Sequence, residues 1–402
     1  VELPVWEPRD PPRPAAPIAG TFAGYRRDPR PGTRNDLWVI PTVGCVNGEL
    51  RARVREWIAL GKPSWIDGVK VLEHPFGCSQ LGEDLTMTAD LLAGLARHPN
   101  AAGVLLAGLG CENLRLSMLL ERIGPHPRLR ALELQGGDGE FTALLDELAH
   151  AAPRTREPFP LSDLCVGVKC GGSDGYSGLT ANPLLGRFSE RLAASGGTIL
   201  ATEIPEMFGA EGVISARIAD GAVHDDFVAL ARWFRDYFVR HGQPVYENPS
   251  PGNREGGITT LEEKSLGAVE KAGNAPVTQV LKYGQPALPG GGVQIVFAPG
   301  NDLVSCTSLA ASGAQVILFT TGRGTPFGTV VPTMKVSSNS ELAAKHPNWI
   351  DFDAGSLLSG QTWEAAEDAL TARVLRVASG ERVAHERKDI ADIAVFKDGV
   401  TL

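Results

Sequence analysis

Leu37-Trp38-Val39-Ile40-Pro41-Thr42-Val43-Gly44-Cys45 is an apolar run closed by a glycine and a cysteine, and this ending recurs twice downstream. Phe76-Gly77-Cys78 follows the run Val69 to Leu72, and Leu109-Gly110-Cys111 follows Val104 to Ala107, with 33 residues from each cysteine to the next. Short apolar runs bounded by turn residues read as strands. As parallel strands of one sheet they carry all three thiols to its carboxyl edge, where open α/β sheets bind ligands. Three convergent soft donors suit iron or an iron–sulfur cluster, which needs thiolates. Cysteine is also a small hydrophobe that tolerates sheet ends, so the spacing leaves a packing role open.

Between these strands the period changes. Glu49 to Leu60, Asp84 to Arg97 and Asn113 to Arg122 read as helices, Leu129 to Leu134 as a strand, and Phe141 to Ala151 as a helix. Repeated βα units imply a parallel sheet with helices on its faces, and 33 residues is the period of those units. Outside the Gly-Cys pairs no repeat is visible, which argues against a solenoid. The proline-punctuated stretch Pro153 to Pro160 marks a boundary. A second series follows: strand Leu164 to Lys169, helix Leu184 to Ala194, strand Thr198 to Thr202, helix Phe227 to Arg240, strands Val293 to Phe297 and Gln315 to Phe319, and helix Thr362 to Ala378. The expected fold is α/β, with two Rossmann-like domains whose mainly parallel sheets are flanked by helices. Residues 1–20 read as a proline-rich linker, 21–155 as the first domain and 156–402 as the second.

A chain of 402 residues exceeds one ordinary core, which agrees with two domains. Hydrophobic residues at 43% and charged residues at 21% describe a globular protein. A net charge of −9 without a basic block argues against nucleic acid as the partner. No apolar run of 18 residues is present, so no membrane partner is expected. Val1-Glu2-Leu3-Pro4 lacks the features of a signal peptide, and six cysteines in such a chain read as free thiols or ligands. A cytoplasmic enzyme is the expectation. The linker, with nothing before it, suggests a further domain or subunit upstream.

Several loops concentrate chemistry. Cys170-Gly171-Gly172-Ser173-Asp174-Gly175 sets glycines, a hydroxyl and a carboxylate at a strand end, where backbone N–H groups can approach an anion. A tight strand-to-helix turn would look similar. Thr320-Thr321-Gly322-Arg323-Gly324-Thr325-Pro326 presents one arginine between glycines, suited to gripping a carboxylate or to bracing a loop. His74 is a candidate ligand or general base, and Glu112, Glu203 and Glu206 stand at predicted strand ends where any could move a proton. Lys169 and Lys335 flank the loops and could steady an anionic intermediate. Cys165 and Cys306 lack the glycine context and are expected in the core. The loop Glu247 to Gly257 is long for a compact domain, which points to function.

The longer strings resemble the altronate/galactarate dehydratase (UxaA) family. They include His74 to Asp84 (HPFGCSQLGED), Gly108 to Asn113 (GLGCEN), Lys169 to Pro183 (KCGGSDGYSGLTANP), Glu203 to Glu211 (EIPEMFGAE), Asn248 to Asn253 (NPSPGN), Thr259 to Ser265 (TTLEEKS) and Thr320 to Pro332 (TTGRGTPFGTVVP). The resemblance runs from about residue 20 to the end. It implies dehydration of a sugar acid to a 2-keto-3-deoxy acid, stimulated by iron as Fe2+ or a labile [4Fe–4S] cluster. Galactarate dehydratase, a sulfolactate sulfo-lyase large subunit and a non-catalytic sugar-acid-binding subunit are the alternatives. It also implies a small SAF domain, fused upstream or supplied as a partner subunit, and leaves room for a homo-oligomer. On this reading Cys45, Cys78 and Cys111 hold the iron, and His74, Glu112 and Lys169 serve catalysis. Arg34 and Arg323 clamp the carboxylate, Gly171, Gly172, Ser173 and Asp174 of the Cys170 to Asp174 loop bind hydroxyls together with Asn182, and Asn35 and Thr325 also bind substrate.

Overall fold

The computed structural model describes residues 3–137 and 140–399. The first half contains β1 (Thr21–Gly24), β2 (Asp36–Pro41), α1 (Asn47–Ala59), β3 (Val69–Val71), α2 (Gly82–Ala96), β4 (Ala101–Gly108), α3 (Leu116–Ile123), β5 (Leu129–Glu133), α4 (Phe141–Ala151) and β6 (Glu157–Pro160). Strands β3-β2-β4-β5 form a parallel sheet in that order. Every residue of β2 and β4 is buried, as expected for strands covered on both faces. The side-chain period of two sorts them. Leu37, Val39 and Leu105 join the cluster under α1 and α4, whereas Trp38, Ile40, Val104 and Leu106 join a cluster shared with α2 and α3.

The second half contains β7 (Cys165–Cys170), α5 (Ala181–Ala194), β8 (Thr198–Ala201), α6 (Glu211–Ser215), α7 (Gly221–Arg240), α8 (Pro251–Glu255), α9 (Leu261–Val269), β9 (Val277–Leu281), β10 (Gly292–Val296), α10 (Asp302–Ala311), β11 (Val316–Thr321), β12 (Thr333–Ser337), α11 (Ser340–Lys345), β13 (Phe352–Asp353) and α12 (Trp363–Ala378). Its seven strands are all parallel, in the order β13-β12-β11-β7-β8-β10-β9. The α/β architecture is therefore two parallel sheets flanked by helices.

The halves share a core. The cluster on the α2 face of the first sheet continues through Cys165, Leu200, Cys306, Ile317 and Phe319 of the second half. Cys165 and Cys306 are thus packing residues, as the sequence implied. Helices α2 and α10 pack closely, since a Cβ on Gly94 would stand 2.7 Å from the Ala311 carbonyl. Strands β1 and β6 pair antiparallel, joining the chain before the first sheet to the chain before the second. The C-terminal stretch also returns to the first half, where the Asp398 and Gly399 amides donate to the Asp84 carboxylate at 2.7 and 2.9 Å.

Candidate active site

In each sheet two neighbouring strands send their following helices in opposite directions. From β2 the chain goes to β3, and from β4 it goes to β5 on the other side, so the crevice lies between the carboxyl ends of β2 and β4. In the second sheet β7 leads to β8 and β11 leads to β12, which places the crevice between β7 and β11. Such reversals are where parallel sheets hold ligands. Cys45 and Cys111 follow β2 and β4, with Cys78 beside them after β3; Cys170-Gly171-Gly172 and Gly322-Arg323 flank the second crevice.

The three thiol turns are tied together. Gly44 N donates to Phe76 O at 2.9 Å, Leu114 N to Gly77 O at 3.1 Å, and Ser79 N to the Asn113 side chain at 2.9 Å. Gly77 has φ +104°, and a Cβ there would sit 2.0 Å from the Thr42 carbonyl, so the close approach of these turns requires glycine. All three thiols are exposed.

His74 and Glu112 hold these turns in place. The buried His74 ring takes the Phe76 amide at Nδ1 (3.2 Å) and donates from Nε2 to Pro41 O (2.8 Å). Burial lowers its pKa against the opposing Pro41 hydrogen bond, so the ring is a neutral brace with no nitrogen free for proton transfer. Glu112 accepts from Leu109 N (3.1 Å), Gly110 N (2.8 Å) and the Thr42 hydroxyl, closing the crevice between β2 and β4. Burial would raise its pKa, but these donors outweigh burial and keep it a carboxylate.

The second edge carries a buried charge cluster. Lys169 Nζ, with no exposed surface, meets Glu203 at 2.5 Å, Asp302 at 3.0 Å, Cys170 O at 2.6 Å and Gly300 O at 3.0 Å. Lys271 meets Glu203 at 2.5 Å and Cys170 Sγ at 2.9 Å; Lys264 meets Glu206 at 2.7 Å. Burial opposes each ammonium, yet the facing carboxylates and Cys170 hold all three lysines above their ordinary pKa. Burial would raise Glu206 as well, but Lys264, Lys169 and Lys271 bring it down to about 2. Glu203 adopts φ +71°, a left-handed backbone held by its two lysines.

The fit of these groups to a metal differs between the two edges. Among the described residues, Cys170, Glu203 and Glu206 are the one trio of Cys, His, Asp or Glu ligand atoms lying mutually within 4.8 Å. Three ammonium groups already fill the places of a cation there, and with Asp302 the formal charges balance at three of each sign. That trio does not fit a metal. The exposed thiols do, because their donors are soft and, among the described residues, unclaimed apart from a 3.8 Å contact between Cys78 and Ser79. Their sulfurs lie outside that mutual distance. One ion at about 2.3 Å from each sulfur would need them closer, whereas a cluster spreads its thiolates.

The CGGSDG residues gather at the carboxyl end of β7. Gly171 N donates to Thr320 O, and Gly172, at φ +61°, accepts from the amides of Gly322 and Arg323, all at 3.0 Å. Asp174 takes Ser177, Ser338 and Asn339 side chains at 2.7–2.9 Å, and Asn182 bridges the Thr320 hydroxyl (2.6 Å) and Gly267 O (2.8 Å). Both brace the loops, while Ser173 keeps its hydroxyl near Lys264 at 3.5 Å. Arg323 is half-exposed and holds Gly252 O and Glu255 at 3.0 Å; Thr325 accepts the Phe327 amide at 3.3 Å. Lys335 is sealed against the Phe327 and Thr333 carbonyls, and burial lowers its pKa to about 8.

Arg34 and Asn35 belong elsewhere. They precede β2 at its amino end, away from the carboxyl edge. Arg34 is locked to Glu386 at 2.7 and 2.8 Å and to three carbonyls; Asn35 binds Trp65 O and Pro153 O. An arginine with every donor used cannot also clamp a substrate. Burial would raise the Glu386 carboxyl, but Arg34 brings it down from 4.5 to about 2. Its contribution to stability is therefore complete above the unfolded pKa and is lost as pH falls from about 4.5 toward 2. Urea titrations at pH 6 and pH 3 should show Glu386→Gln losing about 2 kcal/mol less than the parent across that interval. Equal losses would show the pair to be irrelevant to acid stability.

Lys264 and Lys271 were missed as site residues. They lie seven positions apart across α9 and its extension, so two helical turns put both on the buried face with Ala268. That spacing was the available signal.

Sequence comparison agrees with the geometry. Residues 24–156 match the profile of the D-galactarate dehydratase/altronate hydrolase second domain, and residues 161–401 that of the D-galactarate/altronate dehydratase C-terminal domain. The chain belongs to the D-galactarate/altronate dehydratase family. Within that family it is 49% identical to an altronate dehydratase of Bacillus subtilis (strain 168), over the whole of this chain and 82% of the relative. It is 46% identical to an altronate dehydratase of Escherichia coli (strain K12), over 92% of this chain and 76% of the relative. A galactarate dehydratase (L-threo-forming) of the same strain is 33% identical over 92% of this chain and 75% of the relative.

Proposed function

We propose that the chain is a sugar-acid hydro-lyase whose substrate is D-altronate, with 2-dehydro-3-deoxy-D-gluconate as product. The observation that carries this reading is the identity of 46–49% to two altronate dehydratases, against 33% to the galactarate enzyme. The elimination removes a proton at C2 and a hydroxide at C3.

Cys45, Cys78 and Cys111 would hold an iron–sulfur cluster, whose iron would supply a Lewis acid for the departing hydroxyl. The chain's own residues set the stage. The Phe76-Gly77 turn is fixed by His74, and the turn before Cys111 by Glu112, so the thiols are presented on a rigid edge. Phe76 packs against the apolar cluster that also holds Phe319 and Phe327 of the second half. A SAF-domain partner or upstream domain belongs to the same proposal, supported by relatives that extend beyond the matched region. Among the described residues no helix is long and apolar enough to cross a membrane. We place the reaction in cytoplasmic hexuronate breakdown.

The test is a keto-acid assay under reduced iron, with and without an added SAF subunit, on D-altronate, galactarate and sulfolactate. Altronate should react at least tenfold faster than either competitor. Preference for galactarate or sulfolactate would overturn the substrate assignment.

A further inference from the structure

Three buried lysines serve the second edge, and Lys264 is the one whose side chain lines the cleft beside it. Lys169 is surrounded by four acceptors at 3.0 Å or less, and Lys271 by two. Lys264 has one short partner, Glu206 at 2.7 Å; its other neighbours, Ser173 Oγ and Cys170 Sγ, lie at 3.5 and 3.6 Å. An ammonium offers three N–H groups, and two of those on this 4% exposed side chain go to contacts long enough to yield to a charged acceptor.

That acceptor has a place to come from. Lys264 and Ser173 line a cleft of about 260 Å3 between α9 and the turn that follows Gly172. The volume sits just below the usual range for small-molecule sites, ~300–1,000 Å3, which suits a compact ligand. The remaining walls are unlike the Lys264 end. Glu263 and Glu270 stand along the same helix and its extension, with Gly178 and Gly267 between the walls. Glu263 is partly used by the Thr259 amide at 2.9 Å. Glu270 lies six residues past Lys264, about 9 Å along a helix, a length comparable to an extended six-carbon acid.

We infer that this cleft takes a polyhydroxy monocarboxylate, with Lys264 and Ser173 holding the carboxylate and Glu270 turning away a second one. The inference rests on the dehydratase reading and narrows it to aldonates over aldarates. Lys264 donates to one carboxylate oxygen, and the Ser173 hydroxyl donates to the other or to the same one. Hydroxyls along the sugar chain donate to the Glu263 and Glu270 carboxylates. The far carboxylate of a diacid would meet those acids instead, where like charges repel. Desolvation already raises the Glu270 pKa, so a second anion there compounds an existing cost. Glu206 is a positioning residue, which fixes the Lys264 ammonium at the cleft floor.

Calorimetric binding of D-altronate, galactarate and the neutral D-altritol to the full chain tests the assignment. Altronate should bind roughly 10- to 100-fold tighter than altritol, the worth of a charge-assisted hydrogen bond. Lys264→Met alone strands Glu206, so it is paired with Glu206→Gln, which removes both charges together. In that double variant altronate should fall to the level of altritol, and in Glu270→Gln the galactarate-to-altronate affinity ratio should rise about tenfold. Circular dichroism confirms that each variant is folded. Equal binding of altronate and altritol by the parent, an unmoved ratio in Glu270→Gln, or failure of every acid to bind would overturn the inference. Binding that follows the pattern while no keto acid forms would sink the dehydratase reading alone.

Discussion

Lys169→Met is expected to destabilise the protein by about 3–5 kcal/mol, the usual result of removing one partner from a buried ion pair. The cost arises because the neighbours stay behind. Glu203 is 1% exposed, is held at 2.5 Å by Lys169, and keeps only Lys271 as a cationic partner after the substitution. The carbonyls of Cys170 and Gly300 also lose a donor. A urea slope of about 3 kcal/mol/M converts the loss to a midpoint lower by about 1 M or more. Arg323→Met is the contrast, since a half-exposed pair on the same edge should cost no more than about 1 kcal/mol. An unchanged midpoint in Lys169→Met would mean that the cluster does not hold the β7 and β8 ends together.

The elements that carry the thiols were readable because their pattern is extreme. Strand β2 is apolar from Leu37 to Pro41 and β4 is apolar throughout, and a Gly-Cys pair follows each, so no other assignment competes. Strands β9 and β12 were not recognised. Thr333-Met334-Lys335-Val336-Ser337 sets a lysine between two apolar residues with hydroxyls at both ends, and only the structure shows that lysine sealed by carbonyls. Helix α10, Asp302–Ala311, was passed over because serine, threonine and cysteine fill its buried face, including Ser305, Thr307 and Ser308. Its start is set by Asn301, whose side chain caps the Leu303 and Val304 amides at 3.1 Å.

The site shows a different limit. Residue type identified groups able to do chemistry, but not which of them had a valence to spare. Arg34 has the right fork for a carboxylate and spends it on Glu386. His74 has a suitable ring and uses both nitrogens on the backbone. Sequence cannot show such occupancy, because Pro41 lies 33 residues from His74 and Glu386 lies 352 from Arg34. Lys264 is the converse case, a residue of unremarkable type made significant by its one short contact and its place in the wall of a cleft.

Replacing Cys45, Cys78 and Cys111 together by alanine should cut turnover by at least about a thousandfold while leaving the fold intact. The first half of that expectation follows from iron chemistry: losing a Lewis acid worth several kcal/mol costs two to three or more powers of ten. The second half follows from exposure, since surface substitutions free of special contacts stay within about 0.5 kcal/mol each. The combination separates a ligand role from a packing role, because a packing cysteine loses stability before it loses activity. Absorption of the parent after anaerobic loading with iron and sulfide should show a thiolate-to-iron charge-transfer band, and the triple variant should lack it. Single variants order the contributions, and the turn geometry predicts their outcome. Each thiol ends a different one of three neighbouring strand turns, so no neighbour can replace a missing donor and each single change should cost most of the band. A triple variant that keeps its iron content and its turnover would place the metal elsewhere, and it would leave the rigid edge built by His74, Gly77 and Glu112 without a chemical purpose.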